Sequence, residues 1–368
     1  MITELDDLRP HLEAWDALAV RCRQPYAAPA WMLSWWRHAA PAASRLAVVV
    51  VRDGQETVGI APWHQDRLRT GLWVARLLGT GHRVEPLAIP GREAEVARAV
   101  AGALTRWPAG PGALSLDRID AGSHWPDLLA VTGPNRGRVV ERALTGAPVV
   151  RLDGLTYEAW LGGRSSNFRG QRAQARRRMQ REGAAFRMAE SPPELDAAVA
   201  AFVDMTRDQW SRGSRRSPRA AAVGAMVREA ARELVPGGRM RVWVLEAGGR
   251  PVSVQIFVVA GGEVGYWNGG FDPRWSRLRP GFETIVRAIE HAFSAGDRRV
   301  DLGGGASHYK LRLATGDEPI SAAMVLPGGR HRALREAQLL PSRLDRLAAR
   351  AAHRLPPDVK DRLRALRR

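Results

Sequence analysis

The stretch MRVWVLEAGGRPVSVQIF, Met240–Phe257, decides how the rest of the chain is read. An apolar run, a Gly248-Gly249 pair and a second apolar run together predict two antiparallel strands joined by a tight turn. Working outward, EVGYWNGG, Glu263–Gly270, reads as a third strand. FDPRWSRLRPGFETIV, Phe271–Val286, then leads through a basic loop into a helix, with Pro280 at its start and Phe282, Ile285, Val286, Ile289 and Phe293 on one face. Gly296 is placed to end that helix, and Arg299–Leu302 returns as a strand into GGGASHYK. Strand, strand, strand, basic loop, helix, strand is a mixed α/β layer.

Upstream, LAVVVVRDGQETVGI, Leu46–Ile60, repeats the hairpin pattern around Asp53-Gly54. Superposing Gly54 on Gly248 brings Val58 onto Val252 and Ile60 onto Val254, so two readings stand side by side: a tandem duplication, or two unrelated hairpins of the same kind. Turn-rich stretches at Pro108–Gly112 and Thr132–Gly137 precede the short apolar piece PVVRL at Pro148–Leu152. The expected division is residues 1–150, residues 151–325, and a basic helical tail over 326–368, where arginine and leucine recur at helical spacing.

With 45% hydrophobic and 26% charged residues the chain is globular, and its 368 residues suit about two domains. No window reaches the ~18 apolar residues of a membrane span. The lone Cys22 fits a reducing compartment, so the expectation is a cytoplasmic protein whose basic tail is the candidate contact with a membrane's inner face. The net charge of +18 points toward phosphate-bearing partners such as coenzymes, RNA or anionic lipid. A strongly arginine-biased composition gives the same number, so the placement of the arginines matters more than their count.

Three stretches hold the candidate chemistry. Arg277, Arg279, Pro280, Gly281 and Phe282 surround a helix N-terminus, whose free N–H groups and partial positive charge suit a phosphate. Arg169, Arg172 and Arg176 fall on one face of a helix within SSNFRGQRAQARRRMQREG, Ser165–Gly183, a second candidate for phosphate or substrate. Asp301, His308, Tyr309 and Lys310 lie at a strand end, where α/β sheets line their ligand crevices. Asp301 or His308 suits a base, Tyr309 a proton donor, and Lys310 a charge holding an anion. Only two of the 56 basic residues are lysine, Lys310 and Lys360, which marks Lys310 out in its own chain. CxxC, HExxH, GxxxxGK[ST] and GxSxG patterns are all missing, so no metal site, nucleotide cradle or serine elbow is expected.

The order of hairpin, FDPRWSRLRPGF, helix and RRVDLGGGASHYKLRL resembles the C-terminal half of GNAT-related proteins of the cellulose-biosynthesis-associated CelD/BcsL group, relatives of the FemAB peptidyltransferases. PYAAPAWMLSWWRHAAP, with Trp31, Trp35 and Trp36, and LAVVVVRDGQETVGIAPW resemble the family's opening, so the resemblance spans roughly residues 20 to 320. It implies tandem GNAT-like domains, each with a central mixed sheet, and transfer of an acyl group from acetyl-CoA or another acyl-CoA to a small-molecule or glycan amine, in polysaccharide or cell-envelope assembly. By resemblance Asp301, Tyr309 and Lys310 match the family's D…YK positions, and Arg279, Pro280 and Gly281 its coenzyme pyrophosphate site. RLRPGF departs from the usual Q/R-x-x-G-x-G/A phosphate loop, with one glycine of that pattern. Two other readings stay open: an aminoacyl-tRNA-dependent transferase, for which the basic charge suits RNA, and a non-catalytic accessory protein of envelope assembly.

Overall fold

The computed structural model describes residues 1–79, 83–106, 112–132, 137–210, 218–305 and 307–326, with isolated positions beyond. The basic tail expected over 326–368 lies almost wholly outside the described residues.

The strands are β1 (Arg45–Asp53), β2 (Glu56–Arg67), β3 (Trp73–Leu77), β4 (Leu87–Ala88), β5 (Ala113–Asp120), β6 (Arg138–Thr145), β7 (Pro148–Arg151), β8 (Ala185–Met188), β9 (Met240–Ala247), β10 (Arg250–Ala260), β11 (Glu263–Phe271), β12 (Arg299–Asp301), β13 (Gly316–Asp317) and β14 (Ile320–Leu326). The helices are α1 (Leu12–Arg21), α2 (Pro29–Ala39), α3 (Glu93–Thr105), α4 (Trp125–Thr132), α5 (Tyr157–Gly162), α6 (Ser166–Arg181), α7 (Pro192–Trp210), α8 (Pro218–Leu234), α9 (Pro280–Ser294) and α10 (His308–Leu313).

Two seven-stranded sheets result. The first runs β1-β2-β3-β5-β14-β6, with β4 beside β2; the second runs β13-β7-β12-β11-β10-β9-β8. Both are mixed, each with one parallel pair, β3 with β5 and β11 with β12. The two sheets repeat one plan: an antiparallel hairpin, a third strand, a helical crossover, a fourth strand parallel to the third. In each, an antiparallel strand then lies beside the fourth, β14 beside β5 and β7 beside β12. This shared plan carries the tandem reading, which a resemblance between two hairpins alone could not.

The turn chemistry follows from the sequence. Gly248 and Gly249 take φ of +59° and +72°, the left-handed pair a two-residue hairpin needs, and Ala247 pairs directly with Arg250.

The sheets do not follow the chain order. Strand β14 comes after the second half yet returns to the first sheet, between β5 and β6, while β7 at Pro148–Arg151 already belongs to the second. A core joins the two: Trp15, Trp31, Met32 and Phe202 pack with Val48 and Ile60 of the first sheet and Val242, Val254 and Ile256 of the second. Trp31 is fully buried, its ring edge-on to Trp267 of β11 at 5.1 Å.

Candidate active site

The parallel pair β11–β12 lasts three residues, from Glu263 opposite Arg299 to Gly265 opposite Asp301. Beyond Gly265, β11 continues to Phe271 while the chain after Asp301 turns away, through Gly303 and Gly305 at φ of +77° and +94°, into α10. The strands therefore part into a wedge. Along one wall runs the β12-side edge of Tyr266–Phe271, which has no strand partner among the described residues.

Tyr309, from α10, faces this wedge and hydrogen-bonds the Tyr266 hydroxyl, which donates onward to Gln255 Oε1 at 2.9 Å. Gln255 Nε2 in turn donates to Ser253 Oγ at 3.0 Å and to the Gly270 carbonyl at 3.2 Å. Burial pushes the Tyr309 hydroxyl above its ordinary value, and that of Tyr266 well above, so both stay protonated and able to donate. The glycines of YWNGGF are required here: a Cβ on Gly269 would sit 1.8 Å from Gln255 Oε1, and one on Gly270 2.7 Å from Met205 Cβ of α7.

Lys310 Nζ donates to the carbonyls of Gly303 and Gly304 at 3.2 and 3.1 Å, so the lysine ties down the glycine turn rather than reaching outward. Burial lowers its pKa, with Asp301 pulling the other way.

Asp301 is not a free base. Its Oδ2 accepts from Arg83 Nε at 2.5 Å and its Oδ1 from the Gly303 N–H at 2.7 Å, and both side chains of the pair are more than nine-tenths buried. Arg83 also donates to Asp120 and to the Glu318 carbonyl, so one guanidinium fastens the β5 end of the first sheet to β12 of the second. His308 begins α10, exposed, and has no ion-pair partner among the described residues.

The anion candidates sort equally clearly. Arg279 occupies the left-handed region at φ +53°, directly before α9, and no side chain caps that helix start. Its guanidinium donates to Gln171 Oε1 at 2.9 Å and lies over the Phe282 ring at 4.5 Å. Arg312 of α10 donates to the same oxygen at 2.9 Å and lies over both the Phe168 and the Phe282 ring, at 5.4 and 5.7 Å. Two guanidiniums thus share one neutral acceptor, and among the described residues neither has a carboxylate partner. Burial lowers the pKa of Arg279; Glu283 raises it and the neighbouring Arg312 lowers it further.

Gly281, expected to let a ligand approach, is buried: a Cβ there would meet Phe271 at 3.2 Å and Gln255 Nε2 at 3.4 Å, so its open face is already filled. Pro280 is also buried at the helix start. Arg277 pairs with Glu182 at 2.5 Å, away from Arg279's shared acceptor.

On α6 the three arginines part company. Arg172 lies on the buried face with Phe168, Ala175 and Met179, donating to Glu283 Oε2 at 3.1 Å and to the Tyr157 hydroxyl at 2.6 Å. It is a core ion pair, not an open phosphate ligand. Arg169 turns back to the Gly162 and Arg164 carbonyls at the end of α5. Arg176 is exposed and acts on Glu283 by its charge, as Arg279 also does. Burial pushes the Glu283 carboxyl upward, and its Oε1 has no hydrogen-bond partner.

The residues that sequence reasoning missed are Arg83, Gln171, Gln255, Tyr266 and Arg312. No group of three or more His, Cys, Asp or Glu side chains among the described residues is placed to hold a metal ion. Nor is any described helix long and apolar enough to cross a membrane.

Residues 166–311 match the family described as the acetyltransferase (GNAT) domain, a span holding the β9–β11 meander, α9, the wedge and most of α10. The match covers less than half of the chain. No curated protein matches the sequence. Among solved structures, FemX superposes with a TM-score of 0.61 over 85% of this chain and 95% of its own, at 10% identity. The C-terminal domain (DUF2156) of a protein described as a lysylphosphatidylglycerol synthetase from Agrobacterium fabrum gives 0.54 over 90% and 96%, at 15% identity. A conserved protein of unknown function from Bacteroides thetaiotaomicron gives 0.52 over 86% and 97%, at 9% identity. These likenesses place the fold; the CelD/BcsL group is not among them. Residues 166–311 thus match the acetyltransferase (GNAT) domain model, within a chain whose fold resembles that of FemX over 85% of its length.

Proposed function

We propose that the chain is an N-acyltransferase that moves an acyl group, acetyl foremost, from acyl-CoA to an amine. The observation that carries this is the pair Arg279 and Arg312, held on one amide oxygen beside an uncapped helix start. Two like charges drawn together with no direct ion-pair partner among the described residues cost free energy, and a pyrophosphate there relieves the repulsion while accepting hydrogen bonds from the N–H groups of α9. The unpartnered edge of β11 suits the amides of an extended pantetheine arm, as any free strand edge suits an extended chain.

On this reading Tyr309, kept protonated by burial and hydrogen-bonded to Tyr266, donates to the departing thiolate once the amine nitrogen has attacked the thioester carbon. With Asp301 engaged by Arg83, removal of the amine proton falls to His308 or to water. Lys310 serves by holding the glycine turn. Most of the acceleration then comes from holding the two reactants together.

A calorimetric titration of nuclease-treated protein with acetyl-CoA and with CoA tests the reading. Saturable binding weakened about tenfold or more by Arg312→Ala and by Arg279→Ala is the expected result, since one charge-assisted contact is worth roughly 1.5–3 kcal/mol. Absence of binding by either ligand defeats it. The FemX likeness favours a second reading, an aminoacyl-tRNA donor whose terminal phosphates meet the same arginines; binding of RNA in place of acyl-CoA would select it.

A further inference from the structure

The first sheet holds a built cavity of its own, on the face that looks toward α2. Strand register sets its floor. His64 of β2 lies opposite Arg76 of β3, and Arg76 opposite Ser115 of β5, so three polar side chains stand in a row across three strands, with Asp66 and Asp117 two residues further along theirs. These groups line a cavity of about 500 Å³ together with Trp35, Pro41, Leu78, Val84 and Arg118.

The polar groups are already matched in sign. His64 Nε2 meets Asp66 Oδ2 at 3.3 Å, Ser44 donates to Asp66 Oδ1 at 2.6 Å, and Arg76 donates to Asp117 Oδ2 at 2.9 Å and to Ser115 Oγ at 3.1 Å. A charged ligand would therefore have to break a pair to gain one. One group on the floor stays unanswered: His64, 3% exposed, keeps Nδ1 buried without a partner. A buried polar atom left unmatched costs about 1–3 kcal/mol. Above it, the half-buried Trp35 ring lies 5.1 Å from the His64 ring and offers an apolar face at the cavity wall.

We infer that this cavity binds a neutral, polyhydroxylated ring, a pyranose sugar. A pyranose has an apolar C–H face for the indole and a rim of hydroxyls, each both donor and acceptor, for the fork of Arg76, Ser115 and Asp117. The volume lies within the range of small-ligand sites and holds one such ring with room to spare. The inference does not depend on acyl transfer, because both the site and its test concern binding to the first sheet.

The test is saturation-transfer NMR on the full chain with N-acetylglucosamine and glucose, against glucosamine and glucose 6-phosphate as cationic and anionic forms of the same ring. Saturable binding of the neutral sugars is expected, weakened about tenfold by Trp35→Ala and by Asp117→Asn, a factor equal to about 1.4 kcal/mol. The Asp117 side chain is 51% exposed, so its variant reports on the site without threatening the fold. Arg279→Ala should leave sugar binding unchanged. No saturable binding of either neutral sugar, indifference to both cavity substitutions, or a tenfold preference for a charged form overturns the inference.

Discussion

Replacing Arg83 by methionine tests whether Asp301 is a clasp or a base. The substitution keeps much of the side chain's bulk and removes the guanidinium whose Nε stands 2.5 Å from Asp301 Oδ2, where the two side chains are 8% and 4% exposed. Asp301 would keep only the Gly303 N–H as a hydrogen-bond partner and the Lys310 charge nearby, and a buried carboxylate stripped of its direct ion pair costs about 3 kcal/mol. The lost contact with Asp120 adds little, because that carboxylate is half exposed. Asp301→Asn still accepts from Gly303 and leaves Arg83 its Asp120 partner, so it should cost about 1–2 kcal/mol. Urea unfolding followed by tryptophan fluorescence gives both values, and the double variant gives the coupling, expected at about 2 kcal/mol or more. Arg83→Met costing under about 1 kcal/mol, with coupling near zero, refutes the clasp and returns Asp301 to the list of available bases.

Other outcomes are as definite. Arg172→Ala strands the buried Glu283 carboxylate and should destabilise by about 3 kcal/mol or more in the same assay, whereas Arg176→Ala, on the exposed face, should change stability by under about 0.5 kcal/mol. Burial raises the Glu263 carboxyl to about 7, against the pull of Arg299, so the folded state holds that proton more tightly than the unfolded chain does. Its stabilising contribution is therefore full below about pH 4.5 and lost as pH rises through about 7; Glu263→Gln should remove that component, of order 1–3 kcal/mol, from a stability-against-pH series. Gly269→Ala pushes Gln255 off Tyr266 and should lower the transfer rate at least about tenfold while costing roughly 1–3 kcal/mol of stability. Lys310→Arg should fail to rescue what Lys310→Met loses in rate, because a planar guanidinium cannot replace a compact ammonium on two adjacent carbonyls; equal rates for wild type and Lys310→Arg would contradict that.

The regular parts of the fold were legible because they rest on local pattern. The Gly248-Gly249 hairpin, the third strand at Glu263, the helix opening at Pro280 and the short strand ending at Asp301 all stand close to where period and turn residues put them. Legibility stopped at long-range charge. Nothing near Asp301 in the sequence announces Arg83, 218 residues earlier. Helical spacing grouped Arg172 with Arg169 and Arg176, yet the hydrophobic face of α6 follows Phe168, Ala175 and Met179 and takes Arg172 inward, where Glu283 waits 111 residues away. In a chain this rich in arginine a single arginine carries almost no signal, so nothing in the sequence sets Arg312 apart, whereas its rare neighbour Lys310 stands out. The lysine's rarity did mark a structural need, but for two carbonyls rather than for an anion.

The placement of β14 sets an order on the chain's own synthesis. Among the described residues β6 joins the first sheet through β14 alone, which lies between it and β5. As the chain leaves the ribosome from its N-terminus, β1 to β5 emerge with one edge waiting, and β6 has no partner among the described strands until Ile320–Leu326 emerges. The second half must come out in between, and can close around β7 while the first is still open. The half that begins first is thus completed last. A nascent chain stalled before residue 320 exposes the bare β5 edge and an unmated β6, two templates for pairing with another copy. Its safe passage to the native state depends on the second half folding fast enough to deliver that last strand.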